Sequence, residues 1–159
     1  MIHDDGGTAA VTTLVMLPLL LVVLAGALEL GALRAVAYRA VAAADLATIV
    51  AVNDQDQTEL ERTGKLRLAA GAADTARDYF ARNLSATASA LAVSVSDIAA
   101  AADIASFPTA PAIDPRTNAR YDRPTVRLIA SVPVKTPGFA VLFMPAVTTI
   151  TIRAASSPR

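Results

Sequence analysis

The sequence predicts an α+β fold: a long N-terminal transmembrane helix that continues into a small domain with a second helix and an antiparallel sheet. Three observations carry that reading. Residues Thr8 to Leu28 contain no charge and are predominantly apolar, and about 20 such residues suffice to cross a hydrocarbon core. The helical pattern then runs on through ELGALRAVAYRAVAAADLATIVAV without a proline, which predicts one continuous helix of about 45 residues. The C-terminal half instead alternates apolar and polar residues, the period of two that belongs to half-buried strands.

The anchor comes first in the chain. A cleaved signal peptide needs a basic leader and a short apolar core. Ala25-Gly26-Ala27 offers a small-x-small cleavage site, but MIHDDGG is acidic and the apolar run is long, so a retained anchor is expected. Beyond it, Arg34, Tyr38, Asp45 and Thr48 share one side of the helix, and Leu33, Val36, Ala40, Ala44 and Ala47 share another. This second half is amphipathic and should pack on the domain rather than on lipid. Ala27, Gly31 and Ala35 form a small-xxx-small stripe suited to close helix packing in the membrane, although alanine-rich composition alone produces such stripes. Glu29 falls at the edge of the apolar run, roughly 32 Å along the helix from Thr8. A headgroup position is expected for its carboxylate, and a deeper one would require a partner.

The expected divisions are residues 1–7 as a short leader or cytoplasmic tail, 8–28 as the span, 29–53 as the amphipathic continuation and 54–159 as the α+β domain. NDQDQTELERTG reads as a polar connector. Leu66 to Leu84 reads as the second helix, with Leu68, Ala72, Ala76, Tyr79, Phe80 and Leu84 on its apolar face and Asp74, Arg77, Asp78 and Arg82 toward water. Strands are expected at Leu91 to Asp97, Thr125 to Lys135 and Val147 to Ala154. Pro133 lacks an N–H, which suggests an edge or a bulge. The Pro- and Ala-rich stretch between the first two strands is long for a compact domain and reads as a partner-binding or mobile loop. Between the last two strands, TPGFAVLFMPA is unusually apolar. There Phe139, Leu142, Phe143 and Met144 are expected to cap the sheet, touch the membrane surface or dock a partner, capping being the commonest outcome.

Composition narrows function. The 14 basic and 14 acidic residues balance, so no net field argues for nucleic acid. There is no cysteine and one histidine, His3, which removes thiolate and multi-histidine metal sites and histidine acid–base chemistry. Asp54, Asp56, Glu59 and Glu61 cluster without the glycine and spacing of a calcium loop and read as a solvated linker. Asp74 and Asp78 read as a solvated helix face rather than a catalytic pair. Arg116, Arg120 and Arg123 are balanced by Asp114 and Asp122, leaving at most a weak anion site. No nucleophile elbow or phosphate-binding glycine loop is present. No enzyme activity, cofactor or metal is expected.

Several segments together resemble the TadE/TadG-like proteins of tight-adherence (Flp-type) pilus systems: Gly7-Thr8-Ala9-Ala10-Val11, Leu17-Pro18, Glu29-Leu30-Gly31 and Ala43-Ala44-Asp45-Leu46-Ala47. Ala76 to Leu84 looks like the family's second helix, and the strand–PVKTPGFAVLF–strand ending looks like its C-terminal hairpin. The resemblance implies a pilin-like, non-enzymatic minor pilin, pseudopilin or assembly component of the bacterial cytoplasmic membrane. It further implies a domain outside the cytoplasm, with membrane lipid and other pilus subunits as partners. Processed members are cut after a glycine, which would place the cut between Gly7 and Thr8. Those members carry Glu five residues on, where this chain has Thr12, pointing to the unprocessed TadG-like side. Asp4 and Asp5 before the anchor and Arg34 and Arg39 after it give a charge bias of the opposite orientation; the family-like architecture is preferred. The alternatives are an accessory subunit of an unrelated membrane complex and a secreted binding domain cut after Ala27.

Overall fold

A computed structural model describes residues 5–140 and 143–158, with side chains from residue 12 onward. The first helix, α1 (Asp5–Val52), is 48 residues long and contains Pro18 and Gly31 without a break, so it extends about 72 Å. It is followed by α2 (Gln57–Thr63), α3 (Ala72–Leu84), a 3-10 turn over Ser85–Ala90 and α4 (Val95–Ala101). The strands are β1 (Asp103–Phe107), β2 (Ala112–Ile113), β3 (Arg120–Tyr121), β4 (Thr125–Lys135) and β5 (Val147–Ser156), with a single turn, α5 (Pro137–Ala140), between the last two. The expected α+β class is observed: one long apolar helix, then a small domain with a helix and a three-stranded antiparallel sheet.

The sheet order is β1-β4-β5. Alternation along β4 sends Val126, Leu128, Ala130, Val132 and Val134 to one face, where all five are buried. Ile152 and Ala154 of β5 join them. Against this face lie Ala40, Ala43, Ala44 and Ala47 of α1 and Phe80 and Leu84 of α3. Four small residues on one helix face allow close approach, and the large side chains of α3 and β4 occupy the space between the layers. A second cluster, Ala51, Val52, Leu68, Ala72, Ala76 and Val126, continues the core to the end of α1. The C-terminal half of α1 packs on the domain as its amphipathic pattern predicts, and the sheet buries one face against it.

Pro133 sits in β4 opposite Thr149. Its carbonyl accepts from the Ala92 N–H at 2.9 Å, on the side away from β5. A residue's own nitrogen and carbonyl point to the same side of an extended strand, so Pro133 directs its missing N–H to the edge that β1 does not reach, and the ladder to β5 keeps its bonds.

Four expectations are corrected. Residues Leu91 to Asp97 do not form a strand: only Leu91 bridges to Val134, and Val95 begins α4. The Ser94 side chain accepts from the Asp97 N–H, and its hydroxyl lies 2.6 Å from the Asp97 carboxylate. This Ser-x-x-Asp cap outweighs the short Val93/Val95 alternation. The polar connector contains α2, whose start is capped by Asp56 accepting from Glu59 N–H and whose end is closed by Gly64 at φ 68°, a left-handed geometry glycine adopts without penalty. The second helix begins at Ala72 rather than Leu66. The long loop before β4 holds β1, which pairs with Thr125–Ile129, and the β2–β3 ribbon.

Thr48 also departs from expectation. Helical spacing puts it with the water-facing residues of α1, but it is fully buried. Its hydroxyl donates to the Asp45 carbonyl and lies 2.9 Å from Ser156 Oγ, so this polar group is satisfied where the end of β5 meets the helix.

Candidate functional site

Among the described residues, the N-terminal half of α1 contributes nothing to the buried core clusters. Consecutive positions Leu14, Val15, Met16 and Leu17 are all exposed, as are Leu19, Leu20, Leu21, Val23, Leu24 and Leu28. Consecutive helical residues point in different directions, so bulky apolar groups cover the whole circumference. A helix apolar all round is stable only where its surroundings are apolar. This helix is long and apolar enough to cross a membrane.

At this end the domain meets α1 at Glu29. Glu29 is half-buried, and a side chain at Gly138 would meet its carboxylate at 2.8 Å. Leu33 and Val36 follow as partly buried contacts of the core. The other end of the interface is fixed by the Thr48–Ser156 contact. From Glu29 to Thr48 the helix advances about 28 Å, and from Val147 to Ser156 the strand advances about 30 Å. The two elements therefore run parallel and in step. The described parts of the β4–β5 connection, residues 136–140 and 143–146, lie at the end of the domain next to the apolar run, and the loop before β4 lies at the far end.

That near connection is closed by the Thr136 N–H to the Ala146 carbonyl at 2.7 Å and the Met144 N–H to the Phe139 carbonyl at 3.0 Å. Phe139 is half-buried, whereas Phe143 is fully exposed at φ 57° and Met144 is also exposed. Phe143 and Met144 thus project outward instead of covering the sheet; Leu142 lies outside the described residues. An exposed aromatic in the left-handed region, which non-glycine residues seldom adopt, is held there by the loop's own hydrogen bonds.

Ala27, Gly31 and Ala35 are exposed on the side of α1 opposite the domain, and Tyr38, Ala42, Leu46 and Ile49 prolong the same face. A side chain at Gly31 would meet nothing within 4 Å. Gly7 and Thr8 fall within the helical backbone of α1, their side chains outside those described. The acidic cluster is dispersed into structural roles: Asp56 caps α2 and Asp54 accepts from the Thr75 hydroxyl at 3.0 Å. Asp74 pairs with Arg77 at 2.9 Å, while Arg82 lies over the Tyr79 ring.

The far end contains the polar feature that pattern reading missed. Arg127, on β4 between Val126 and Leu128, is buried. Its guanidinium donates to both carboxylate oxygens of Asp103, at 2.9 and 3.3 Å. Its Nε also lies 2.8 Å from the buried Asp114 carboxylate, a charge contact whose N–H is not aligned as a hydrogen bond. Asp114 accepts from the Arg116 N–H and the Thr117 hydroxyl. For Asp103, the Arg127 hydrogen bonds outweigh burial and lower the carboxyl pKa. For Asp114, burial pushes upward but is overcome by the Thr117 and Arg116 bonds and the Arg127 charge, so its pKa is also lowered. Burial likewise opposes the charge on Arg127, and the two aspartates raise its pKa nonetheless. The network pins the 108–124 loop to the outer sheet face, with Phe107 and Tyr121 in ring contact at 5.1 Å. Arg116 and Arg120 are engaged by Asp103 and Asp122, and Arg123 donates to the Pro158 carbonyl.

No protein-family model, curated protein or solved structure matches this chain. Among the described residues no group of three or more His, Cys, Asp or Glu is placed to share a metal ion.

Proposed function

We propose that this chain is a non-enzymatic, single-pass membrane component of a tight-adherence type pilus or secretion apparatus, a minor pilin or assembly protein with its domain outside the cytoplasm. The observation that carries the reading is the division of α1. Its first half presents bulky apolar side chains in every direction, and its second half is the spine of the domain. Such a helix anchors the domain to a bilayer at a fixed distance, with no flexible linker between them. The outward face from Ala27 to Ile49 is continuous with the anchor and supplies small residues for contact with neighbouring helices. The resemblance of the segments around Gly7, Glu29 and Ala76 to TadE/TadG-like proteins supplies the pilus context.

Deletion of the gene tests this function: loss of surface pili and of adhesion is expected, and intact assembly would contradict it. Purification in mild detergent then separates the alternative. Co-elution with pilus-assembly proteins supports the proposal, and co-elution with an unrelated membrane complex replaces it.

A further inference from the structure

We infer that the β4–β5 loop is a second membrane contact, in which Phe143 and Met144 enter the headgroup region beside the point where α1 leaves the bilayer. The inference rests on the reading of α1 as a membrane anchor.

Position is the first support. Gly138 packs against Glu29, and Glu29 directly follows the last residue of the uncharged run, Leu28. The loop is therefore level with the exit of the helix, and α1 and β5 run in step to hold it there. Composition is the second. Residues 136–146 contain no charge, and hydrogen bonds within the loop turn the backbone so that Phe143 is fully exposed. An aromatic ring at this level suits the boundary between water and acyl chains. Charge is the third. Arg34 and Lys135 are exposed beside this end of the domain, where Glu29 is half-buried, and Asp103, Asp114, Asp122 and their arginine partners lie at the other. Exposed cations near a bilayer are drawn to anionic headgroups. The occupant is thus a lipid surface, and the contact fixes the tilt of the molecule relative to the bilayer.

The chain has no tryptophan, so a single introduced indole is a clean reporter. Full-length Leu20→Trp, Phe143→Trp and Tyr38→Trp variants are reconstituted into phosphatidylcholine/phosphatidylglycerol vesicles whose lipids carry bromine either near the headgroup or near the chain end. All three positions are exposed, so substitution leaves the core intact. The expected result is preferential quenching by deep bromine in the Leu20→Trp variant and by shallow bromine in the Phe143→Trp variant. The Phe143→Trp emission should also be blue-shifted, while the Tyr38→Trp emission stays water-like and unquenched. A water-like, unquenched Phe143→Trp signal beside a quenched Leu20→Trp signal would overturn the loop contact and leave the anchor standing. An unquenched Leu20→Trp signal would overturn the anchor, and the loop contact with it.

Discussion

The two halves of α1 share one backbone, yet they differ in charge, in side-chain size and in what surrounds them. From Leu14 to Leu28 the bulk is leucine, valine and methionine, exposed on all sides. From Ala40 to Ala51 the inward face is alanine at five positions, all buried. Lipid chains conform to bulky groups in any direction, whereas a folded domain closes most tightly on small ones and fills its volume from the opposing layer. Side-chain size and the placement of charge together distinguish the half suited to lipid from the half that packs on the domain.

The contrast breaks most visibly in the layer that opposes the alanines. Phe80 is fully buried against them, and Phe80→Ala should destabilise the domain by about 3–5 kcal/mol, read by chemical unfolding of the detergent-solubilised chain. A loss of comparable size, about 3–5 kcal/mol, is expected for Arg127→Met, which leaves the buried Asp114 carboxylate uncompensated. Here the same unfolding curve should be accompanied by proteolytic sensitivity within residues 108–124.

The aspartates of that network give the loss a pH signature. Both native carboxyl pKa values lie below the ordinary 3.8, so the unfolded chain binds more protons in that range. The contribution is fully present above pH 3.8 and disappears as pH falls through the lowered native values. Stability measured from neutral pH downward should stay level and then drop below about pH 4, and Arg127→Met should flatten that drop.

Overpacking the alanine face tests side-chain size directly. Ala44→Leu should cost about 1–3 kcal/mol, because Ala44 is fully buried in the core and the added atoms must displace packed neighbours. The mirror change in the first half, Leu20→Ala, should alter the domain's unfolding free energy by less than about 0.5 kcal/mol, as expected for a residue that contacts no part of the core. An equal loss from both substitutions would erase the distinction between the halves.

Much of this arrangement was legible in the sequence. The long apolar helix, the strands at 125 and 147 and the packing of the second half of α1 on the domain all follow from sustained periodicity. Short elements were lost because their signals are local caps rather than periods. Asp56-x-x-Glu59 with Gly64 marks α2, and Ser94-x-x-Asp97 marks α4, yet each helix has only seven residues. β1 was invisible for another reason: all five of its residues are half-buried, so no alternation survives. Arg127 was hidden by distance. Its partners lie 24 and 13 residues earlier, and nothing in local pattern shows that a strand arginine is buried. At the near end, the apolar loop was visible as a group, but the outward direction of Phe143 depends on hydrogen bonds that only the folded loop supplies.

The division of α1 can be tested directly because the chain has no cysteine. Single cysteines replacing Leu14, Leu17, Leu20 and Leu24, and Tyr38 and Leu46, all occupy positions exposed in the structure. They are probed in the purified chain reconstituted at low density, without partner proteins, into vesicles opened to give access from both sides, using a membrane-impermeant maleimide. The first four should be protected until detergent is added, while the last two label at once. Equal labelling of both groups before detergent would contradict the assignment of the first half of α1 to lipid.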